Sequence, residues 1–365
     1  AKLWDAKCKE YKDAIASWLV NPYGHANEFV AERIYEQLLT LEHVLFGGFT
    51  HSPAVKLAGK LIPLLPANQQ KIFFSDNGST AVEVALKMAL QYHLNKGEKK
   101  QVIIAFEEAF HGDTFGAMAA SGIGLFTEDF KEMLLEVRRI PIPQPGNDHS
   151  LKALKAATKD GKAAAFIFEP LVQGAAGMRM YPPEKLDELM AYCKENQILT
   201  IADEVMTGFG KTGKVFACHY LKEMPDIMCL SKALTAGAIP MAITTTSDKI
   251  YEAFYDEDIN KALFHGHSFT GNPTGCAAAL ASIELLTSES MQQNIARINT
   301  RHKTFQLTHS QHPKIKEIRV LGVIMAIELL TSGENAYYGS LRNKLYQFFI
   351  DNGIILRPVG NIIYI

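Results

Sequence analysis

Short apolar runs alternate with helix-length segments between about residues 70 and 245. Such short apolar runs are typical of strands, whereas the segments between them have apolar residues at helical spacing. The predicted strands are 71–75, 102–106, 164–169, 199–203, 226–230 and 241–245. The predicted helices include 79–94, with Ser79 as its N-cap, and 183–195, which Pro183 opens. This alternation predicts an α/β domain with a mostly parallel sheet covered by helices.

The pattern changes after about residue 273. An alanine-rich helical stretch precedes predicted strands at 317–320 and 323–329, a helix at 338–351 and, after Gly353, another strand. These elements predict a smaller α+β domain, joined to the first domain by the long helix. The chain begins without methionine and ends in the apolar run 362–365, which we interpret as an unfinished strand.

Composition narrows the class of protein. With 365 residues, of which 47% are hydrophobic, the chain can bury more than one minimal core, so we expect two domains. A formal net charge of −2 gives no general attraction to nucleic acid or to an anionic membrane, which favours small-molecule substrates. The five cysteines are scattered and no His cluster has metal-ligand spacing, so neither a disulfide framework nor a metal site is predicted. Without a signal-peptide pattern or an apolar run of roughly 18 residues, we expect a cytoplasmic protein.

Two polar residues follow predicted strands, at the sheet edge where ligands of α/β proteins bind. Asp203 ends the strand 199–203, where a buried carboxylate suits the protonated nitrogen of a pyridine ring. A helix N-cap is the alternative for Asp203. Lys232 follows the strand 226–230, where the core would lower the pKa of its amine and favour imine formation. A lysine that extends from a strand end toward solvent is the alternative for Lys232.

Two further segments have the composition of a cofactor site. In the turn 75–80, Gly78 leaves backbone N–H groups free to face a phosphate at a helix N-terminus, although a capped helix without ligand fits as well. Phe110 follows the strand 102–106 and either stacks on a flat cofactor or belongs to the core. The segment 208–214 has glycines and lysines like a nucleotide-binding loop, but Val205 stands where that motif requires glycine. A nucleotide-binding loop is therefore excluded there.

Taken in this order, the segments resemble those of class III aminotransferases, which are fold-type I pyridoxal-phosphate enzymes. The run ADEVMTGFG at 202–210, followed by SKAL at 231–234, carries the resemblance, which extends over nearly all of the chain. It implies a large cofactor-binding domain at 46–280, with a mostly parallel seven-stranded sheet flanked by helices. It also implies an N-terminal segment, 1–45, that contributes to the small domain, and a C-terminal small domain, 281–365, that is truncated at its end.

The resemblance also implies roles for individual residues. Lys232 would hold pyridoxal 5′-phosphate as a Schiff base, and Asp203 would pair with the pyridine nitrogen. Gly78 and Ser79 would bind the phosphate, while Val205 would pack beneath the ring. The segment 266–268 would reach the phosphate of a neighbouring subunit, which implies an active homodimer. His267 and Ser268 in that segment would bind the cofactor. Gly266, Trp18 and Phe110 would lie beside the substrate, and Arg357 would bind a substrate carboxylate.

The segments 41–51, 81–92, 111–118 and 173–181 resemble those of class III members that act in biotin synthesis. They imply ping-pong transfer of an amino group from S-adenosylmethionine to 8-amino-7-oxononanoate. A lysine donor stays open, as do ornithine, 4-aminobutyrate and omega-amino-acid aminotransferase activities and an aminomutase activity. A catalytically silent binding protein is the alternative from another class, and the presence of both Lys232 and Asp203 argues against it.

Several positions depart from the usual pattern of these relatives. Phe110 stands where tyrosine is usual, Leu19 where a second tryptophan is usual, and Lys211 where arginine is common. His267 and Ser268 replace the frequent proline and threonine, and the serine keeps a hydroxyl for the phosphate. The changes leave the cofactor chemistry intact, so we expect them to bear on the choice of amino donor.

Overall fold

The structure, a computed structural model, describes residues 1–331 and 340–365. The strands are β1 Lys2–Trp4, β2 Glu10–Asp13, β3 Lys71–Ser75, β4 Val102–Phe106, β5 Val137–Ile140, β6 Ala163–Phe168, β7 Val172–Gln173, β8 Arg179–Met180, β9 Leu199–Asp203, β10 Ile227–Leu230, β11 Ala242–Thr246, β12 Ile315–Leu321, β13 Ile324–Leu329, β14 Ile354–Ile355 and β15 Ile362–Tyr364. The helices are α1 Ala16–Leu19, α2 Glu28–Thr40, α3 Ser52–Leu61, α4 Gly78–Asn95, α5 Phe115–Ala120, α6 Gly124–Thr127, α7 His149–Ala157, α8 Pro183–Glu195, α9 Asp248–Glu252, α10 Pro273–Thr287, α11 Glu289–His309 and α12 Ser340–Asp351.

Seven of these strands form the central sheet, in the order β3-β11-β10-β9-β6-β4-β5. Neighbours from β10 to β5 run parallel, whereas β11 is antiparallel to both β10 and β3. The predicted fold class, a mostly parallel seven-stranded sheet flanked by helices, is confirmed.

Burial on both faces explains why the central strands appear in the sequence as continuous apolar runs. Every residue of β6 is buried. Phe166 and Phe168 pack into the apolar cluster on one face of the sheet, whereas Ile167 packs into the cluster on the other face. The helix α4 covers β10 and β11, and α8 packs against β9. The core therefore lies on both sides of the sheet and fixes the strand ends that carry the candidate site.

The six predicted strands agree with the observed ones to within one residue at either end. The helix predicted at 183–195 is α8, and the helix predicted at 79–94 is α4. Its predicted cap, Ser79, is wrong. Asn77 caps the helix instead, because its side chain accepts the N–H of Thr80 while the hydroxyl of Thr80 accepts the N–H of Asn77.

The long alanine-rich helix predicted after residue 273 is in fact two helices, α10 and α11. Between them, Ser288 has an extended backbone, and its hydroxyl accepts the N–H of Met291 and so starts α11. The strands predicted at 317–320 and 323–329 correspond to β12 and β13. Residues 338 and 339 of the predicted helix 338–351 lie outside the described residues, and α12 covers its remainder.

Two small sheets lie outside the central one. β1 pairs with β2, which pairs with β14 from the C-terminal part of the chain. β12, β13 and β15 form an antiparallel sheet, so the run after residue 361 is a strand, as predicted. The N-terminal segment thus shares a sheet with the C-terminal part, while the domain limits at residues 45 and 280 stay a prediction.

All five cysteines have free thiols, and all but Cys8 are buried. Across residues 1–331 and 340–365, the structure contains no helix whose length and apolar character would let it cross a membrane.

Candidate active site

A cavity of about 720 Å³ opens beyond the carboxyl ends of β4, β9 and β10. These ends lie at one edge of the sheet because the three strands belong to its parallel part. The start of α4 and segments from both ends of the chain form further walls. The predicted site residues that line the cavity are Trp18, Gly78, Ser79, Phe110, Asp203, Val205, Lys232 and Arg357.

Lys232 lies just past β10, with its backbone in an uncommon conformation. Its φ of 50° is in the left-handed region, which residues other than glycine rarely adopt. Such backbone conformations are often found at functional sites. The hydroxyl of Ser231 donates to the carbonyl oxygen of Met241 at 2.8 Å and fixes the preceding residue. Burial lowers the pKa of the Lys232 amine, against the opposing charges of Asp203 and Glu169. The neutral, nucleophilic amine is therefore favoured.

Asp203 ends β9 and is hydrogen-bonded through both carboxylate oxygens. Oδ1 accepts the N–H of Val205 at 3.1 Å, and Oδ2 lies 2.7 Å from Nδ1 of His111. The other ring nitrogen of His111, Nε2, has no hydrogen-bond partner among the described residues. The residues directly after Asp203 form turns, so the helix-cap alternative is wrong. The cavity thus contains a buried carboxylate held in one orientation.

The start of α4 provides a site for an anion. A helix of 18 residues leaves its first N–H groups without intrahelical partners, and its dipole adds positive potential there. Gly78 and Ser79 are its first two residues and line the cavity. Because Asn77 provides the cap, the Ser79 hydroxyl is free for other contacts, and it accepts the N–H of Asp113 at 3.3 Å.

Two glycines allow the walls of this anion site to approach closely. A Cβ atom at Gly78 would lie 2.7 Å from Cγ1 of Val205, and one at Gly112 would lie 2.1 Å from Oγ of Ser79. Gly112 also has a φ of 133°, which disfavours any other residue. The helix start therefore packs directly on Val205 and on the segment after β4.

Glu169 joins two walls of the cavity and was not predicted as a site residue. Its carboxylate accepts the N–H of Phe110 at 3.1 Å and the N–H of Gly174 at 2.9 Å. Burial raises the pKa of Glu169 to about 7, with His111 acting to lower it and Asp203 to raise it. Glu169 ends the predicted strand 164–169, so the rule that identified Asp203 would have found it.

Trp18 and Arg357 come from opposite ends of the chain and meet at the cavity. The Arg357 guanidinium lies 4.2 Å from the centre of the Trp18 ring, which is cation–π distance. Both residues line the cavity. Trp18 is 57% exposed, so much of its ring remains open to a ligand.

The segment 266–268 does not line the cavity of this chain. Nε2 of His267 lies 3.4 Å from Oδ1 of Asp76, and Asp76 itself lines the cavity. The segment therefore lies beside the cavity, with Gly266 and Ser268 exposed. Its predicted role in a neighbouring subunit stays a prediction.

Lys211 is a second buried amine near Lys232. Burial and the charge of Lys232 lower the pKa of Lys211 to about 7. Its Nζ atom has no hydrogen-bond partner in the described part of the chain. Its sequence context gives no signal of this burial, because the residue stands in a glycine-rich turn.

These features fit pyridoxal 5′-phosphate. Lys232 offers an amine of lowered pKa to an aldehyde, Asp203 a carboxylate to a protonated ring nitrogen, and the start of α4 N–H groups to a phosphate. Phe110 and Val205 add apolar surface beside them. The close contact between the helix start and Val205 brings the phosphate and ring positions together. Fold and site thus define a fold-type I pyridoxal-phosphate-dependent transferase.

Comparison with known proteins gives the family. The profile of the class-III aminotransferases matches residues 1–365. The chain therefore belongs to the class-III aminotransferase family and is a pyridoxal-phosphate-dependent aminotransferase. The resemblance identified from the sequence and the cofactor that it implied are confirmed.

The similarity to known proteins extends over the whole chain. The adenosylmethionine-8-amino-7-oxononanoate aminotransferase of Synechococcus elongatus is 44% identical, over 100% of this chain and 88% of the relative. The crystal structure of the enzyme of that name from Methanocaldococcus jannaschii has a TM-score of 0.94 at 34% identity, over 100% of this chain and 85% of the other. The omega transaminase from Pseudomonas jessenii in complex with PMP has a TM-score of 0.92 at 28% identity, with the same coverage.

Proposed function

We propose that this chain transfers an amino group from S-adenosylmethionine to the ketone of 8-amino-7-oxononanoate, giving 7,8-diaminononanoate. The observation that carries the proposal is its 44% identity, along the whole chain, to a relative named for these substrates. The omega transaminase, of nearly equal structural similarity, is 28% identical. Since the reaction is biosynthetic, we place it in the cytoplasm.

Lys232 and Asp203 carry the chemistry in this proposal. When bound, pyridoxal 5′-phosphate supplies an electron-withdrawing ring that stabilises the charge left when the donor carbon loses its proton. Nζ of Lys232 removes that proton, and burial lowers the pKa of its amine, which favours the neutral form that can accept a proton. Asp203 holds the proton on the ring nitrogen, and His111 orients Asp203 through the 2.7 Å contact. The donor product leaves before the acceptor binds in the same cavity.

The other predicted residues hold the cofactor and the substrates. Gly78 and Ser79 bind the phosphate at the start of α4, while Phe110 and Val205 enclose the ring. Arg357 binds the carboxylate that the donor and the acceptor both carry, because a guanidinium can form two parallel hydrogen bonds to it. Trp18 packs on Arg357 and lines the substrate side.

We further propose a homodimer, in which His267 and Ser268 act at the partner's phosphate and Gly266 contributes to substrate binding. Support comes from an exposed apolar surface that two contacting segments form. The rings of His43 and Phe269 are 5.4 Å apart, and the Asn272 side chain donates to the carbonyl oxygen of residue 42. Large exposed apolar patches are typical of interfaces. The exposed apolar side chains of this surface are Leu38, Leu39, Leu45, Phe49, Phe264 and Phe269.

The homodimer is tested by sedimentation velocity of Phe269→Glu. We expect dissociation to monomers together with weaker cofactor retention, because the charge would be buried and the shared phosphate site separated. Leu307→Glu is the matched control, since Leu307 is 82% exposed on α11. A dimer that survives Phe269→Glu with full cofactor retention would contradict this interface.

The amino donor is tested in a single half-reaction. Purified yellow enzyme is mixed with S-adenosylmethionine in the absence of acceptor, and loss of the yellow absorbance is followed. We expect complete conversion with S-adenosylmethionine, and recovery of the colour when 8-amino-7-oxononanoate is added. Lysine, ornithine and 4-aminobutyrate are the comparison donors.

Conversion by one of the comparison donors, with none by S-adenosylmethionine, would replace the proposed donor. Failure of 8-amino-7-oxononanoate to restore the colour would reject the acceptor. Arg357→Ala tests the carboxylate contact independently, because it should weaken binding of a carboxylate-bearing donor by a few kcal/mol. Unchanged donor affinity would contradict the role of Arg357.

A further inference from the structure

The residues that bring Trp18 into the cavity form α1, Ala16–Leu19, which is a left-handed turn and not a right-handed helix. Left-handed backbone is costly for residues other than glycine, and a run of such residues persists only where the surroundings hold it. The turn closes on itself through hydrogen bonds from the N–H of residue 19 to the carbonyl of residue 15 at 2.7 Å and from residue 20 to residue 16 at 2.9 Å. The φ angles are 47° at Ala16, 45° at Ser17, 68° at Trp18 and 67° at Leu19.

Asp13 supplies the hydrogen bonds that hold this turn. Its Oδ1 accepts the N–H of Ile15 at 3.1 Å. Its Oδ2 accepts the N–H of Ser17 at 2.7 Å and the hydroxyl of Ser17 at 3.0 Å. The Asp13 side chain has no exposed surface. Burial acts to raise the pKa of Asp13, but hydrogen bonds from His25, Ser17 and Ile15 prevail and lower it. Asp13 is therefore a buried anion, and its hydrogen bonds to Ile15 and Ser17 hold the turn.

His25 connects Asp13 to the loop after Lys232. Its Nε2 lies 2.8 Å from Oδ2 of Asp13, and its Nδ1 lies 3.3 Å from Nδ2 of Asn21. Asn21 in turn packs on Gly237, where a Cβ atom would lie 2.3 Å from Oδ1 of Asn21. Gly237 lines the cavity. The turn is thus fixed to the wall of the cavity that follows the catalytic lysine.

The backbone of the turn sets the position of the Trp18 ring beside Arg357. The two side chains are in contact at 4.2 Å, although they belong to opposite ends of the chain. Trp18 is largely exposed, so its own burial does little to hold it. The position of its ring therefore depends on the backbone of the turn, and through the turn on Asp13.

We propose that Asp13 is a positioning residue for substrate recognition: it fixes the left-handed turn that holds the Trp18 ring against Arg357, and so orients the guanidinium for a substrate carboxylate. The inference rests on the proposed function for the role of Arg357. Asp13 itself does not line the cavity. Its effect on the substrate passes through Trp18.

The position of Trp18 can be measured without any reaction. The chain contains two tryptophans, so the holoenzyme labelled with 5-fluorotryptophan gives one fluorine resonance for Trp18 and one for Trp4. In Asp13→Asn we expect the Trp18 resonance to shift and broaden. Asp187→Asn is the matched control, because Asp187 also accepts two backbone N–H groups but lies away from the cavity. We expect both resonances to be unchanged in that variant.

Recognition is measured in the same samples by titration with nonanoate, an unreactive carboxylate. Asp13→Asn should weaken nonanoate binding about tenfold, as expected when a charged contact loses its geometry. In turnover assays the KM for 8-amino-7-oxononanoate should rise by a similar factor, while kcat changes less than about threefold. His25→Phe removes one contact of Asp13 and should also weaken nonanoate binding and raise the KM, by smaller factors. It serves as the test variant if Asp13→Asn does not fold.

An unmoved Trp18 resonance in Asp13→Asn, or in His25→Phe where Asp13→Asn does not fold, would overturn the proposal. A displaced Trp18 ring with unchanged nonanoate affinity would overturn the link to recognition. If the wild-type enzyme binds nonanoate but does not aminate 8-amino-7-oxononanoate, the proposed function fails. The effects of Asp13→Asn on the Trp18 resonance and on nonanoate affinity can still be measured. The two failures are therefore distinguishable.

Discussion

Nδ1 of His111 lies 2.7 Å from Oδ2 of Asp203, and the two side chains have 0% and 5% of their surface exposed. A buried carboxylate is stable only when it is paired or hydrogen-bonded. His111 comes from the segment after β4, whereas Asp203 ends β9, so the contact joins a loop to a strand end at the edge of the sheet. The pair presents a fixed anion to the position that we assign to the ring nitrogen.

The contact predicts a loss of cofactor affinity in His111→Phe. Phenylalanine keeps an aromatic ring but removes the donor, and hydrogen bonds to charged groups contribute about 1.5–3 kcal/mol. We therefore expect the Kd of the apoenzyme for pyridoxal 5′-phosphate to rise by about tenfold or more. His302→Phe serves as the control, because Nδ1 of His302 has no hydrogen-bond partner in the described residues and the residue lies outside the cavity. Equal affinities in the two variants would contradict the role of His111.

The start of α4 predicts a steric effect in Gly78→Ala. The added Cβ atom would lie 2.7 Å from Cγ1 of Val205, so the helix start or Val205 must move. Such overpacking costs about 1–3 kcal/mol, and we expect both a lower unfolding free energy and weaker cofactor binding. Gly59→Ala is the matched control, since Gly59 lies in α3 and a Cβ atom there meets nothing within 4 Å. A Gly78→Ala enzyme with wild-type unfolding free energy and wild-type cofactor affinity would contradict this explanation.

Much of the central sheet could be predicted because its strands are buried on both faces. The run that forms β6 contains only apolar residues, and its burial follows directly from that composition. β5 escaped prediction because its sequence is Val-Arg-Arg-Ile at an edge of the sheet. There Arg138 forms an ion pair with Asp160 at 2.8 Å, a contact that an apolar pattern cannot reveal.

The position of site residues at strand ends was predictable, whereas their partners were not. Asp203 and Lys232 follow apolar runs, and the sheet brings them to one cavity. The Trp18 to Arg357 contact joins opposite ends of the chain, so local sequence gives no sign of it. Ser79 and Asn77 are equally good capping residues by type, and only the reciprocal hydrogen bonds between Asn77 and Thr80 show that Asn77 is the cap.

Lys211 predicts an unusual pH dependence of stability. Its pKa is lowered to about 7 from the ordinary 10.5, so the unfolded chain binds more protons than the folded chain between these values. Stability from this residue therefore rises as pH increases from about 7 toward 10.5, and the penalty of burying the charge is complete below pH 7. Lys211→Met should thus stabilise the protein near pH 7, by an amount on the order of a few kcal/mol.

The measurement is the unfolding free energy from denaturant titrations of Lys211→Met and wild type, at pH 7 and at pH 10. We expect the advantage of the variant at pH 7 to shrink strongly at pH 10. At pH 7 the wild-type amine is about half-protonated in the folded state and fully protonated in the unfolded state, whereas at pH 10 it is neutral in the folded state and the unfolded state has begun to lose its proton. A difference between the two proteins that is the same at both pH values would show that Lys211 acts through packing alone.

The central claim is that Lys232 carries the cofactor, and borohydride reduction of the holoenzyme followed by peptide mapping tests it most directly. Reduction makes an imine between a lysine and pyridoxal 5′-phosphate permanent, so the modified peptide identifies the lysine. We expect the label on the peptide that contains Lys232 in the wild type, and no label in Lys232→Ala. A label on Lys211 or on another lysine, or none after the apoenzyme has been saturated with cofactor, would contradict the account.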